Sequence, residues 1–117
     1  MKVVREAEYT RVLVYDEPGQ GNACHDYSIQ DARMPHDPVV LSGIRFQNGP
    51  IQENGVNGVQ NEDLIAICID RLRGFQSGKF ACRENAIALT KLEEALMWLE
   101  KRTCDRKSRG VEGKNQL

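Results

Sequence analysis

The stretch Phe80–Gly110, FACRENAIALTKLEEALMWLEKRTCDRKSRG, constrains this chain more than any other. Cys82, Asn85, Leu89, Leu92, Leu96, Leu99, Thr103 and Arg106 recur at alternating spacings of three and four, the period of one helix face. That face is apolar in the middle and polar at both ends. Ala86, Ala88 and Ala95 add helix propensity and leave room for close packing. Arg102, Arg106 and Arg109 stand at i, i+4 and i+7, near one face. Gly110 supplies the stop, because the residue just past a helix often turns left-handed. The pattern predicts a long helix. Its middle is a core or dimer seam, and its C-terminal end offers a row of guanidiniums to an anion.

A second helix precedes it. Asn61 is placed to cap, and Glu62 and Asp63 fill the first turn, where carboxylates suit the helix dipole. Leu64, Ile65, Cys68, Leu72 and Phe75 fall on one broad apolar face, widened by Ile67 and Ile69, and the helix is expected to end near Gly74. The short connector Gly74-Phe75-Gln76-Ser77-Gly78 makes the two helices an antiparallel hairpin.

The first part of the chain is β in character. Arg11–Tyr15 is β-branched and aromatic, Cys24–Ile29 alternates, and Val39–Phe46 reads as a third strand with Gly43 a candidate bulge. Residues 1–9 are a first edge strand or a frayed end. Asp16–Asn22, with Pro18, Gly19 and Gly21, is a turn, and Asp31–Asp37 is a connection. Strands in succession without intervening helices argue for an antiparallel meander. Residues 48–61, NGPIQENGVNGVQN, hold three Asn-Gly pairs. They form a winding loop, or a loop whose bared backbone N–H groups approach a phosphate; neither GxxxxGK[ST] nor GxGxxG is present. The fold class is α+β in one domain of 117 residues: strands over about 1–47, the loop 48–61, the helical hairpin 61–110, and a tail 111–117 whose end is expected to be mobile.

Composition narrows the function classes. Aromatics are only 6% of the chain, and a core of this size leaves stability marginal, for which oligomerisation is a common remedy. The net charge of −1 conceals a basic focus at Lys101, Arg102, Arg106, Lys107 and Arg109. A protein coating long nucleic acid usually carries a larger basic excess; one focus suits a compact anion. Cys24, Cys68, Cys82 and Cys104 lack zinc-ligand spacing and are expected to be buried or half-buried free thiols of a reducing cytosol. Cys24-His25 with His36 likewise lacks metal spacing. No apolar run is long enough to span a membrane and residues 1–6 carry no signal-peptide core, which predicts a cytosolic protein. No Ser-His-Asp pattern, HxH, HExxH or DxD pair is present, and Asp16-Glu17 beside Cys24-His25 has no recognised spacing. The chain is expected to be a non-enzyme with no cofactor and no metal.

Three features admit two readings each. Phe75 plugs the end of the hairpin or offers a ring face to a base. Asn85 sets the register of a dimer or presents a donor and an acceptor to a ligand edge. Arg102, Arg106 and Arg109 are a solvated basic last turn, with Asp105 pairing to Lys101 or Arg109, or they fork onto phosphate oxygens. They continue the face of Leu92, Leu96 and Leu99, beginning where the apolar seam ends.

The run from Asn48 to Gly113, with FACRENAIALTKLEEAL and RxxRGVEG within it, resembles the helical-hairpin module shared by two phage immune-evasion groups. These are the first described Thoeris anti-defence sponge and the related anti-CBASS sponge. RVLVYDEPGQGNACHDYSI is similar to the sheet half of the Thoeris type. The resemblance implies a homodimer, often a trimer of dimers, in the cytosol of an infected bacterium. It implies sequestration, without cleavage, of cyclic nucleotide signals: glycocyclic ADP-ribose, and cyclic di- and trinucleotides in hexameric members. It matches the family's base-stacking phenylalanine to Phe75, its polar pocket residue to Asn85, and its phosphate-gripping arginines to Arg102 and Arg106. Arg109 and Val111-Glu112-Gly113 lie nearby without an assigned role, and Lys79 stands where a proline is expected. The alternative is a small nucleic-acid-binding or regulatory protein that uses the basic helix end on a backbone. Its signature is binding that grows with oligonucleotide length and falls steeply with salt.

Overall fold

The computed structural model describes residues 1–34 and 36–114. Among them the chain is α+β: a four-stranded antiparallel sheet comes first and a helical hairpin last. It divides into two compact units, Met1–Val59 and a second that begins at Gln60.

The first unit is a meander of β1 (Lys2–Glu6), β2 (Thr10–Val14), β3 (Asp26–Asp31) and β4 (Val40–Arg45), in sheet order β1-β2-β3-β4. Each strand is antiparallel to the next, as short connections allow. Leu13 and Val14, neighbours on β2, are both buried and point to opposite faces. Residues 1–9 resolve as the edge strand β1 and its turn. Glu6 lies opposite Arg11, and the Arg11 guanidinium donates to its carboxylate at 2.9 Å. At the far end of β3, Arg33 folds back on Asp31 at 2.8 Å and holds that carboxyl at about 2, below its ordinary 3.8.

Two strand boundaries differ from the sequence expectation. β3 begins at Asp26 rather than Cys24 because the Asp16 carboxylate accepts the backbone N–H of His25 at 2.9 Å and of Asp26 at 3.1 Å. That side chain makes a turn of the segment before the ladder starts. Burial works against the Asp16 charge, yet the N–H groups of His25, Asp26 and Asp16 itself, with the His25 side chain nearby, together leave its pKa lowered. On β4 the register slips at Leu41, between Val40 opposite Gln30 and Ser42 opposite Ile29, so Gly43 sits in a regular pair with Ser28 and is not the bulge.

The Asn-Gly-rich loop contains a single helical turn, α1 (Ile51–Asn54), and a parallel bridge from Phe46 to Val59. Several of its amides are engaged within the loop. Asn48 N–H donates to Asn57 Oδ1 and Asn57 N–H to Gln47 Oε1, while Gln47 Nε2 donates to Gly55 O at 2.7 Å. These side chains tie the loop to itself at Asn48, Gly55 and Asn57. Gly58 is required by close approach: a Cβ there would lie 2.5 Å from the Phe46 carbonyl carbon.

The second unit is the hairpin of α2 (Asn61–Gln76) and α3 (Arg83–Ser108). The cap of α2 is Gln60 and not Asn61; the Asp63 carboxylate reaches back to the Gln60 N–H at 2.8 Å. α2 runs two residues past Gly74, so Phe75 is in its last turn rather than in the connector. The seam expected on α3 is the face that α2 covers. Asn85, Leu89, Leu92, Leu96, Leu99 and Thr103 are half-buried and Arg106 is buried, whereas Cys82 is exposed. On α2 the inward line is Ile65, Ile69, Leu72 and Gln76, with Ile69 most buried; Cys68 and Phe75 lie outside it. Arg73 and Glu93 bridge the two helices at 2.8 Å. The leucines are thus half-buried within one chain.

All four cysteines are free, Cys24 half-buried and Cys68, Cys82 and Cys104 exposed, so the expectation of buried thiols fails for three. Cys68 and Cys104 each lie next to an inward position, and Cys82 precedes the first turn of α3. No helix among the described residues is long and apolar enough to cross a membrane. The expected mobility of the tail's end concerns residues 115–117, and part of the 31–37 connection is residue 35; both lie outside the described residues.

Candidate functional site

α2 ends on an aromatic cluster. Phe75 is 40% exposed and meets Phe80 at a ring-centroid distance of 6.4 Å with the rings 85° apart. Arg71, one turn back on α2, carries its guanidinium 5.6 Å above the Phe75 ring, and Lys79 Nζ is 5.5 Å above Phe80. The connector beneath is locked. Gln76 accepts the Cys82 N–H at 2.9 Å and donates to the Cys82 carbonyl at 3.1 Å. Ser77 Oγ donates to Gly74 O at 2.7 Å. Asn85 follows in the first turn of α3, half-buried, and its amide has no hydrogen-bond partner among the described residues.

The other end of α3 is basic. Arg102 is exposed, with no hydrogen bond or ion pair among the described residues. Asp105 pairs with Lys101 at 3.1 Å. Arg109 is the exposed C-cap. Gly110 takes φ +74°, and the helix closes as a Schellman turn: Val111 N–H reaches Arg106 O and Gly110 N–H reaches Lys107 O, both at 3.0 Å. That turn brings the tail back over Arg106.

Arg106 is only 7% exposed. Its Nε donates to Glu112 Oε2 at 3.1 Å, and its Nη2 donates to the carbonyls of Val111 and Lys114, each at 3.0 Å. A guanidinium out of water needs this kind of pairing. Arg102 and Arg106 are neighbours one turn apart, yet they differ: Arg102 stands in solvent, and Arg106 is wrapped by the tail.

Phe75 with Asn85 and Arg102 with Arg106 therefore occupy opposite ends of the hairpin. A groove of about 310 Å³ between the helices, lined by Ile69, Arg73, Glu93 and Met97 among others, includes none of the five expected residues. Among the described residues no three His, Cys, Asp or Glu side chains are grouped for a metal. The sequence reading missed Arg71, Gln76, Phe80 and Glu112. Only the i, i+4 spacing of Arg71 and Phe75 was there to be seen; the other contacts depend on how the connector and tail turn.

Residues 40–103 match the family described as the Acb2/Tad1 hairpin domain. Over 76 residues, 65% of this chain and 54% of the relative, the chain is 62% identical to a protein of Bacillus phage SBSphiJ7 named Thoeris anti-defense 1. It spans about half the length of that curated relative. The matched segment runs from β4 through the hairpin to Thr103, with Phe75, Asn85 and Arg102 inside it and Arg106 just beyond. With more than half of its residues inside that match, the chain belongs to the Acb2/Tad1 hairpin family.

Proposed function

We propose that this chain binds cyclic nucleotide immune signals and holds them without cleavage, blocking Thoeris defence in the cytosol of an infected bacterium. Glycocyclic ADP-ribose is the principal ligand in this reading. Cyclic di- and trinucleotides, the signals of CBASS, are further ones. The name of the phage relative, Thoeris anti-defense 1, supports the target system. The observation that carries the reading is the pair of unsatisfied ends of one rigid hairpin. A half-exposed ring and an unpartnered amide stand at one end, and an unpartnered guanidinium at the other. A purine needs the first set and a pyrophosphate the second.

The two sets cannot meet within one chain. Asn85 and Arg102 lie on one uninterrupted helix, seventeen residues and so about 25 Å apart at 1.5 Å per residue. That is far longer than the ribose between a base and its phosphate. Two copies solve the problem: with their α3 helices antiparallel about a two-fold axis, Asn85 of one copy approaches Arg102 of the other. α3 has a face for such pairing. Ala88 and Ala95 share it at a seven-residue spacing, flanked by Ile87 at 42% and Trp98 at 63% exposure. In this dimer Arg106 is the second guanidinium of the clamp, its orientation set by Glu112 and the tail carbonyls. Arg109 is the third cation at that end.

The test is capture followed by release. The protein is incubated with glycocyclic ADP-ribose, washed, heat-denatured, and the supernatant analysed by mass spectrometry. Intact ligand recovered in proportion to protein is the expected result. A linear product, or no retained ligand, overturns the reading.

A further inference from the structure

The connector between α2 and α3 does more than reverse the chain. The chain has three phenylalanines, and two of them, Phe75 and Phe80, meet here at a right-angled corner. Phe80 is 65% exposed, more than Phe75. Leaving a ring in water forgoes the stabilisation of burying it. The corner is nonetheless built rigidly. Gln76 fixes the Cys82 backbone from both sides, and Ser77 closes on Gly74. The cationic heads of Arg71 and Lys79 lie over the exposed faces of the rings. Such contacts are weak where water competes, so a flat ligand displaces them readily. Two rings at a right angle with a cation over each have the chemistry of a base and its phosphate: a π-face to stack on, a second ring against the base edge, and positive charge alongside.

We propose that Phe80 and Lys79 are ligand-contacting residues. One purine base seats in the corner between the Phe75 and Phe80 rings, and Lys79 and Arg71 turn from those rings to the phosphate of the same nucleotide. The proposal rests on the nucleotide-binding reading above and extends it to residues outside the Phe75–Asn85 pair. The anionic ligand is chosen over an apolar protein partner because both groups bordering the corner are cations. A partner helix seated there would bury two charges without a counterion.

The test uses AMP and inorganic pyrophosphate as probes on protein labelled with fluorinated phenylalanine. Titration with AMP is expected to shift the Phe75 and Phe80 resonances and leave Phe46, which packs on Tyr27 in the sheet, unmoved. Pyrophosphate, lacking a base, is expected to leave both ring signals nearly unchanged. Phe80→Leu should weaken glycocyclic ADP-ribose by about tenfold. Lys79→Gln should weaken both AMP and pyrophosphate. If wild-type protein binds glycocyclic ADP-ribose while Phe80→Leu binds it equally well, this proposal falls and the sponge reading stands. If Phe80→Leu alters only the native mass of the assembly, the corner is a protein contact and the proposal is overturned. If wild-type protein binds no nucleotide, both readings fall.

Discussion

Glu112 closes on Arg106 across the C-terminal turn of α3, carboxylate to Nε at 3.1 Å, while its neighbours Val111 and Lys114 supply carbonyls to the same guanidinium. One arginine thereby organises the tail, and the arginine one turn before it stays in solvent. The two should behave differently when removed. Arg102→Ala is expected to leave the thermal midpoint unchanged and weaken ligand capture at least tenfold, as for loss of a charge-assisted phosphate contact. Arg106→Ala is expected to weaken capture and also to lower stability by about 2 kcal/mol, because Glu112 and two carbonyls lose their donor. Calorimetry beside a binding titration separates them. Equal stability loss in both variants contradicts the asymmetry.

If each pocket takes Asn85 from one copy and Arg102 from the other, defective chains should complement. Asn85→Ala and Arg102→Ala homodimers are expected to capture nothing. A mixed dimer of the two holds one intact pocket and one doubly mutated one, so it should recover half the wild-type capacity. Tandem purification with two tags isolates that mixed species. Zero capacity overturns the shared pocket.

Gln76 grips the Cys82 backbone at both its N–H and its carbonyl. Gln76→Ala removes both bonds and is expected to cost about 1–2 kcal/mol in a urea titration. It should speed hydrogen exchange at the Cys82 amide and reduce ligand affinity without touching the ligand, because a loosened connector must be ordered on binding.

Gly58→Ala tests the close crossing of β4's end and the loop. A methyl 2.5 Å from the Phe46 carbonyl carbon has backbone in its way, which does not move as a side-chain tip does. The expected loss is about 1–3 kcal/mol, or more if the bridge to Val59 opens. The variant Gly78→Ala, with nothing within 4 Å of the added carbon, is the control and should be near neutral.

Asp31 gives the sheet a pH signature. Its carboxyl is held at about 2 by the Arg33 side chain first and the Arg33 N–H second, against an ordinary 3.8. Because the folded value is the lower one, its contribution is fully present above 3.8 and is lost as the pH falls toward 2. Denaturation curves collected from pH 5 to pH 2 should show a stability decline in that window. The part of the decline due to this group should be missing in Asp31→Asn.

The seam of α3 was legible because helix geometry alone dictates it. Asn85, Leu89, Leu92, Leu96, Leu99, Thr103 and Arg106 share one face at any tertiary arrangement, and a hydrophobic face must be covered by something. What covered it was not legible; a second copy and α2 satisfy the same pattern. Phe75 falls outside the connector because Gly74 is not a stop. A glycine in a helix costs only about 1 kcal/mol, and the Ser77 contacts with Arg73 and Gly74 carry the helix past it. The roles of Glu112 and Phe80 had no periodic signature. Each depends on a non-helical turn whose direction is set by a positive φ at Gly110 or by one glutamine side chain. The start of β3 was missed for the same kind of reason, one aspartate competing with the ladder for backbone N–H groups.

α3 runs twenty-six residues without a kink, and its length has a consequence for how this family member can change. A helix is a ruler that also keeps time: each residue added or removed shifts the far end by about 1.5 Å and turns it by about 100°. A substitution on α3 alters one contact. A single deletion between Asn85 and Arg102 swings Arg102, Arg106 and Arg109 to another azimuth while the Asn85 end stays put. The distance between the two chemistries can therefore drift only in steps that restore the phase, three or four residues or a full seven. In the proposed dimer, selection for a longer or shorter signal molecule would act on the offset between the paired helices before it acted on the helix itself.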